Sequence, residues 1–315
     1  MLYHSPSERA EVGKADEPVA AEMSGEASRT LWGDAIKRLK RDKLSVISIL
    51  WITIVIVIAL SADLWVPNTL GSPTDSDSAT MAENSLLPPS AAHPFGTDKL
   101  GRDILSRVIY GARISLSVGV VATGISTIIG LIMGALAAYY GGIWDTIIMR
   151  LADVFLAFPY TLFVIVMLAV IGNGIQNVFI AIGVLGWPSI ARVFRSAILS
   201  VKENDYVDAA RAMGASDLRI IARHIFPNSV ASIVVYATMN VGGAILTEAA
   251  LSFLGMGVTP PNPSWGLLIQ DGEQYLRSQP WLMIEPGLAI LSTVLAFTLL
   301  GNGMRDALDV KLKDA

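Results

Sequence analysis

The sequence predicts an all-α integral membrane protein with six membrane-spanning helices and both termini on the cytoplasmic side. Three observations predict it. Of 315 residues, 53% are hydrophobic and 16% charged, against about 25% charged in soluble domains, and the mean hydropathy is +0.54. The apolar residues fall into long charge-free stretches of the kind a helix needs to cross hydrocarbon, about 20 residues each. Lys and Arg gather at alternate ends of those stretches, which sets orientation.

Each span is read from where charge is absent, because an ionised group at mid-membrane costs several kcal/mol. No charge lies between Lys43 and Asp63, so Leu44–Ala62 is the first span. Ile114–Trp144 is the second. The uncharged run from Val154 to Ala191 is too long for one crossing, and Gly172-Asn173-Gly174 divides it into a third span over about 146–171 and a fourth over about 175–197. The fifth covers His224–Thr247 and continues through Glu248 to about Leu254, and the sixth is Pro286–Met304. Backbone groups have no water partner in lipid, so stretches of this length are helices. Trp187-Pro188 is expected to kink the fourth span, and Gly130-x3-Gly134 to pack the second against a neighbour.

Lys37, Arg38, Lys40, Arg41 and Lys43 crowd the entrance to the first span. Arg195, Lys202, Arg211, Arg219 and Arg223 lie on or beside the link between the fourth and fifth spans, and Arg305, Lys311 and Lys313 follow the sixth. These sides are assigned to the cytoplasm. Lys99, Arg102 and Arg107, in the first outer loop, are a partial exception.

The chain divides into a polar, acidic and disordered tail over 1–30, the first span with its basic lead-in over 31–66, and an outer loop over 67–111. A five-helix core follows over 112–304, then a cytoplasmic tail over 305–315. Reading the first span as a cleaved signal peptide, with Ala59-Leu60-Ser61 as the site, is disfavoured by a long leader that begins acidic. A net charge of −4 with no basic stripe argues against nucleic acid. There is no Cys and only three His, so thiolate or imidazole metal sites and His general bases are poor expectations; His93 opens a turn with Pro94. No G-x-x-x-x-G-K-[ST] run occurs, since Gly13-Lys14 is followed by Ala15, and no ATP or other cofactor is expected on this chain.

The link over 203–227 is unlike a plain connector. Asn204 or Asp205 suits a helix start, Ala209 and Ala210 favour helix, and Tyr206, Ala210 and Met213 share a face. Gly214 suits the left-handed position that ends a helix. Ser216 or Asp217 then starts a second helix, lined on one side by Leu218, Ile221 and Ile225, and Pro227 marks the turn into the fifth span. An amphipathic interfacial linker is the alternative reading of the same residues.

The run Asp208-Ala209-Ala210, then Gly214, then Ile225-Phe226-Pro227 resembles the EAA loop of binding-protein-dependent ABC importer permeases. It departs from that pattern mildly, with Asp208 for the commoner Glu, His224 for the usual Ile and Phe226 for Leu. His93-Pro94-Phe95-Gly96-Thr97-Asp98-Lys99-Leu100-Gly101-Arg102-Asp103, and Thr247-Glu248-Ala249-Ala250-Leu251-Ser252-Phe253-Leu254-Gly255, resemble the dipeptide/oligopeptide subfamily on its DppC/OppC-like side.

The resemblance covers about residues 30–313 and implies the type I, MetI-like permease fold. It implies a transporter subunit without enzymatic activity of its own in the bacterial inner membrane. Its partners would be a second homologous permease, two cytoplasmic ATPases that hold ATP and Mg, and an external solute-binding protein. Asp205, Asp208, Ala209, Ala210, Arg211 and Gly214 would then lie at the ATPase contact. The implied cargo is short peptides, with nickel chelates, glutathione or another small solute as alternatives.

The intramembrane charges keep two readings each. Arg150 and Asp153, three apart on one helix face, form a structural pair or face the solute. Glu248 faces a cavity or gate, or bonds to the neighbouring subunit. An ion-coupled secondary transporter is the alternative of another class, but it would show inverted repeats with helices broken at midplane. A membrane enzyme would need a convergent catalytic cluster, which the spacing does not supply.

Overall fold

The computed structural model describes residues 31–75 and 81–308. The expected tail over 1–30 and the end of the C-terminal tail lie outside the described residues. The elements in order are α1 (Leu31–Arg41), α2 (Lys43–Thr69), α3 (Met81–Asn84), α4 (Ile104–Tyr140), α5 (Gly142–Ala157), α6 (Tyr160–Ile171) and α7 (Ile175–Leu185). They continue with α8 (Trp187–Lys202), α9 (Asp205–Ala212), α10 (Asp217–Ile220), a π-helical turn (Ile221–Ile225), α11 (Phe226–Phe253), α12 (Trp265–Glu273) and α13 (Trp281–Leu308).

Five helical stretches are long and apolar enough to span a membrane: α2, α4, α7 with α8, α10 through α11, and α13. The remaining crossing, the expected third, is not one straight helix over 146–171. It is α5 and α6, bent by 90° at the break between them. The cause is local. Pro159 offers no amide hydrogen to the helix ladder, and its ring disfavours helical geometry at the residue before it. Phe158 accordingly sits at φ −95°, ψ 145°.

The charge-free criterion also set boundaries too narrowly, among them those of α4 and α2. α4 begins at Ile104, ten residues before the expected Ile114, with Asp103 capping it by accepting from the Ser106 amide at 2.8 Å. α2 runs past Asp63 to Thr69. The charges inside these extensions are paired: Arg113 on α4 reaches Asp63 on α2 at 2.9 Å, and the Tyr110 hydroxyl donates to the same carboxylate at 2.7 Å. Pairing lowers the cost of a charge inside such a helix.

The expected outer loop is built around Asp98. Its carboxylate accepts from Arg102 Nε at 2.7 Å, from Arg107 at 2.8 Å and from the amides of Leu100 and Arg102 at 2.8 and 3.0 Å. Arg107, only 1% exposed, also donates to Asp271 at 3.2 Å on α12. Arg102 and Arg107, two of the three charges that ran against the orientation rule, are thus paired within the fold. His93 is taken up by Asp103, with Nδ1 2.9 Å from Oδ2.

α4 is the central helix, with α7, α8, α11 and α2 packed around it. Lipid tails are as apolar as Leu, so close backbone approach carries much of the packing in a membrane. Gly130 and Gly134 lie against α8 so tightly that an added Cβ would come within 2.7 Å of Ile190 and of the Ala191 carbonyl, respectively. This is the packing role expected of that pair. The outward faces of α2 stay apolar, with Ile47, Leu50, Val57, Leu60 and Leu64 exposed.

The fourth span breaks at Gly186, just before Trp187-Pro188, as expected. Backbone carbonyls near the break find partners within the protein: the Ser126 hydroxyl donates to the Gly183 carbonyl at 2.7 Å, and the Tyr160 hydroxyl to that of Ile182 at 2.9 Å.

Candidate functional site

The segment after α8 forms the expected helix–turn–helix at one end of the bundle. α9 is held down by Val207 and Ala210, which pack with Tyr139, Phe194, Ile198, Ile220 and Ile225. Burying Val207 completely is worth about 1.5–3 kcal/mol. The rest of α9 faces outward. Asp205, Asp208, Ala209 and Arg211 are exposed, and Asp208 accepts from Arg211 at 2.9 Å. Ala210, expected among the contact residues, points instead into the anchoring core. Tyr206, Met213 and Leu218 are 44%, 82% and 77% exposed, an unusual concentration of bare apolar surface around acidic and basic groups.

Gly214 has φ +81°, the left-handed position expected of it. Its amide donates to Arg211 and the next amide, of Ala215, to Ala210, at 3.0 and 3.1 Å, which is the Schellman pattern of helix ends. A side chain at this position would meet open space, so the requirement is conformational and not steric.

Two details differ from expectation. In the second helix Ile220 is the buried residue and Leu218 is exposed. There is also no turn at Pro227: α10 passes through the π-helical turn directly into α11, one helical stretch from Asp217 to Phe253. The wider turn lies immediately before Pro227, where the missing amide would otherwise break the ladder.

Three residues outside the expected contact set tie this unit to the membrane helices. The Lys202 ammonium donates to the last carbonyls of α4, Ala138 at 3.2 Å and Tyr139 at 2.7 Å, and lies 5.6 Å from the Tyr139 ring centre. A cation at a helix C-terminus is favourably placed. The Tyr139 hydroxyl donates to Asp217 at 2.6 Å. Sequence shows Lys202 only as an orientation charge, because its acceptors lie more than 60 residues upstream.

The Arg150–Asp153 pair exists at 3.6 Å, but Asp153 has a closer partner in Arg192 on α8. Arg150 is 81% exposed at its side chain. Asp145 and Arg195 make a two-pronged pair on the same seam, both bonds 2.6 Å. α5 is thus zipped to α8 by ion pairs.

Glu248 is fully buried, accepting from Ser115 at 3.0 Å and Ser252 at 2.7 Å. Ser115 and Ser252 in turn accept from the amides of Trp265 and Val258 at 3.3 and 3.1 Å. The carboxyl is turned inward because hydroxyl donors from two helices meet it there, and the result joins α4, α11 and α12. A cavity of about 270 Å³ lies at the two helix breaks, lined by Tyr160 and Pro188 and by the polar Thr123, Ser189, Asn240 and Thr247. Thr247 reaches this cavity, whereas its neighbour Glu248 does not line it.

The family described as "Binding-protein-dependent transport system inner membrane component" matches residues 126–314. The chain belongs to this family. Residues 30–89 match the N-terminal transmembrane domain of oligopeptide transport permease C. The chain is 43% identical over 282 residues to the dipeptide transport system permease protein DppC of Alkalihalophilus pseudofirmus, covering 90% of each chain. It is 44% identical over 285 residues to the glutathione transport system permease protein GsiD of Escherichia coli, covering 90% of this chain and 92% of that one. Its fold is similar to the inward-facing MetNI methionine ABC transporter, with TM-score 0.54 and 20% identity over 65% of this chain and 98% of that chain. This permease is therefore the membrane-spanning subunit of an ABC importer in the bacterial inner membrane, with the MetI-like fold.

Proposed function

We propose that this permease passes short peptides from an external binding protein into the cytoplasm, working beside a second homologous permease and above two ATPases that hold the ATP and Mg. The 43% identity to a dipeptide permease supports the cargo. The 44% identity to a glutathione permease supports a second reading, glutathione, itself a modified tripeptide.

The observation that carries the coupling proposal is the outward face of α9. A short helix anchored by two residues leaves Tyr206, Met213 and Leu218 bare beside Asp205, Asp208 and Arg211. Such a patch fits a protein groove better than water. Small Ala209 allows close approach, the charges orient the dock, and Gly214 sets the angle at which α9 leaves the bundle. Both termini would then share the cytoplasmic side with α9.

In the cycle, ATP-driven closure of the ATPases moves the α9 helices of the two permeases together and opens the pair outward. Product release returns it inward. Each ligand must favour one state for this to work. The hydroxyl and amide groups of the cavity at the helix breaks suit a zwitterionic solute, and Glu248 and the Asp153–Arg192 pair hold the helices that move.

The test is purification of the tagged chain in mild detergent with identification of what accompanies it, followed by ATP-driven uptake of labelled dipeptide and of glutathione in proteoliposomes. Recovery of a second permease and ATPases, with dipeptide uptake, is expected. Uptake of glutathione alone would select the second reading. A chain that stays alone after crosslinking in membranes, and takes up solute on an ion gradient without ATP, would overturn both.

A further inference from the structure

A groove of about 590 Å³ runs along the outside of the bundle between α2 and α13, with α4 as its floor. Trp51, Val55 and Ile58 form one wall and Leu288, Ser292 and Leu295 the other. The wall residues Trp51, Leu288 and Leu295 are exposed, so the groove opens toward the surroundings of the protein at membrane depth.

At the end opposite α9, Glu285 lines this groove one turn into α13. It is partly buried, and among the described residues its side chain makes no ion pair or hydrogen bond. By contrast, Asp63, Asp145, Asp153 and Asp271 all have Arg partners. A carboxylate in a membrane-spanning helix without a partner is costly and points to one from outside. The Thr293 hydroxyl, fully buried and also unpartnered, lines the same groove. It lies eight residues further along, about 12 Å down the helix axis.

We propose that the groove binds a phospholipid with a primary-amine headgroup. The ammonium pairs with Glu285, one acyl chain fills the apolar slot, and Thr293 donates to an ester carbonyl. The unpaired negative charge selects the headgroup, because a lipid whose headgroup carries a phosphate and no ammonium would be repelled from it and would leave the carboxylate unpaired.

The test is lipid retention by the full assembled complex. It is exchanged into nanodiscs of equal phosphatidylethanolamine and phosphatidylglycerol, stripped briefly, and its co-purifying lipid quantified. One surface charge contact is worth about 1 kcal/mol, so an approximately fivefold preference for the ethanolamine lipid is expected. Glu285→Gln should abolish the preference while lipid is still retained, and Ser292→Trp should displace lipid of both kinds. ATPase activity of each variant shows that it has folded. Equal retention of the two lipids by the natural protein, or an unchanged preference in Glu285→Gln, would overturn the proposal. So would a photo-crosslinker at Leu291 that captures the second permease and no lipid.

Discussion

The Tyr139 hydroxyl donates a 2.6 Å hydrogen bond to the Asp217 carboxylate, joining the last turn of α4 to the first turn of the helix that becomes the fifth span. The two residues are 78 apart, and α9 lies between them in the chain. Val207 and Ala210 of α9 pack in one cluster with Tyr139 and Ile220, on the two helices that this bond joins.

Replacing Tyr139 with Phe removes that bond and little else. A hydrogen bond contributes about 1 kcal/mol net, more when one partner is charged. The expected outcome is normal membrane insertion, a small loss of thermal stability and fewer solute molecules moved per ATP in proteoliposomes. An unchanged transport-to-hydrolysis ratio would show that the bond has no part in coupling.

Gly214→Val forces a β-branched residue into φ +81°, where an L side chain costs roughly 1–2 kcal/mol. Nothing lies within 4 Å of the new Cβ, so the strain is expected to be relieved by turning α9 and not by disturbing the core. ATP hydrolysis should persist while uptake falls. Full uptake would remove Gly214 from the coupling unit.

Asp98→Ala would leave Arg107, 1% exposed, with only Asp271 at 3.2 Å. Breaking a buried pair in this way costs about 3–5 kcal/mol. A sharply lower unfolding temperature or yield in detergent is expected. The triple variant Asp98→Leu, Arg102→Met and Arg107→Met should recover part of the loss, because no buried charge of the cluster is then left without its partner.

Gly134→Leu drives a side chain into the Ala191 carbonyl, 2.7 Å from where the Cβ would stand. Overpacking of this kind costs about 1–3 kcal/mol, measurable as a lower unfolding temperature. Gly124→Ala on the same helix, where the Cβ meets nothing, serves as the neutral comparison.

Asp42 caps α2 by accepting from the amides of Leu44 and Ser45, and its hydrogen bonds to Ser45 hold its carboxyl below the usual value. A lowered folded-state pKa adds stability that is present above the unfolded value of about 3.9 and is lost as pH falls through the folded one. Exchange of the Leu44 and Ser45 amides should therefore show excess opening below about pH 4, and Asp42→Ala should show it already at neutral pH.

Much of this permease was legible because membrane spans are local. An apolar run without charge must be a helix in lipid wherever it sits, since its backbone has no other partner. The turn at Gly214 was equally local, being set by the handedness of one residue. The break at Pro159 was written in the chain as well, but a reading based on charge alone passed over it.

The failures share a cause. Asp63 and Arg113 looked like span boundaries because each is the other's partner across 50 residues of chain. Asp153 took Arg192, 39 residues on, in preference to Arg150 on its own helix. Sequence shows that a charge is present, whereas its cost depends on which opposite charge or hydroxyl the folded helices bring to it. Hydropathy and backbone chemistry thus set the spans and the turn, and the resemblance of three motifs pointed to the family. Only the packed bundle decided that Glu248 is sealed among serines and Glu285 is left without a partner, because pairing energy acts over a few ångströms of space and is blind to distance along the chain.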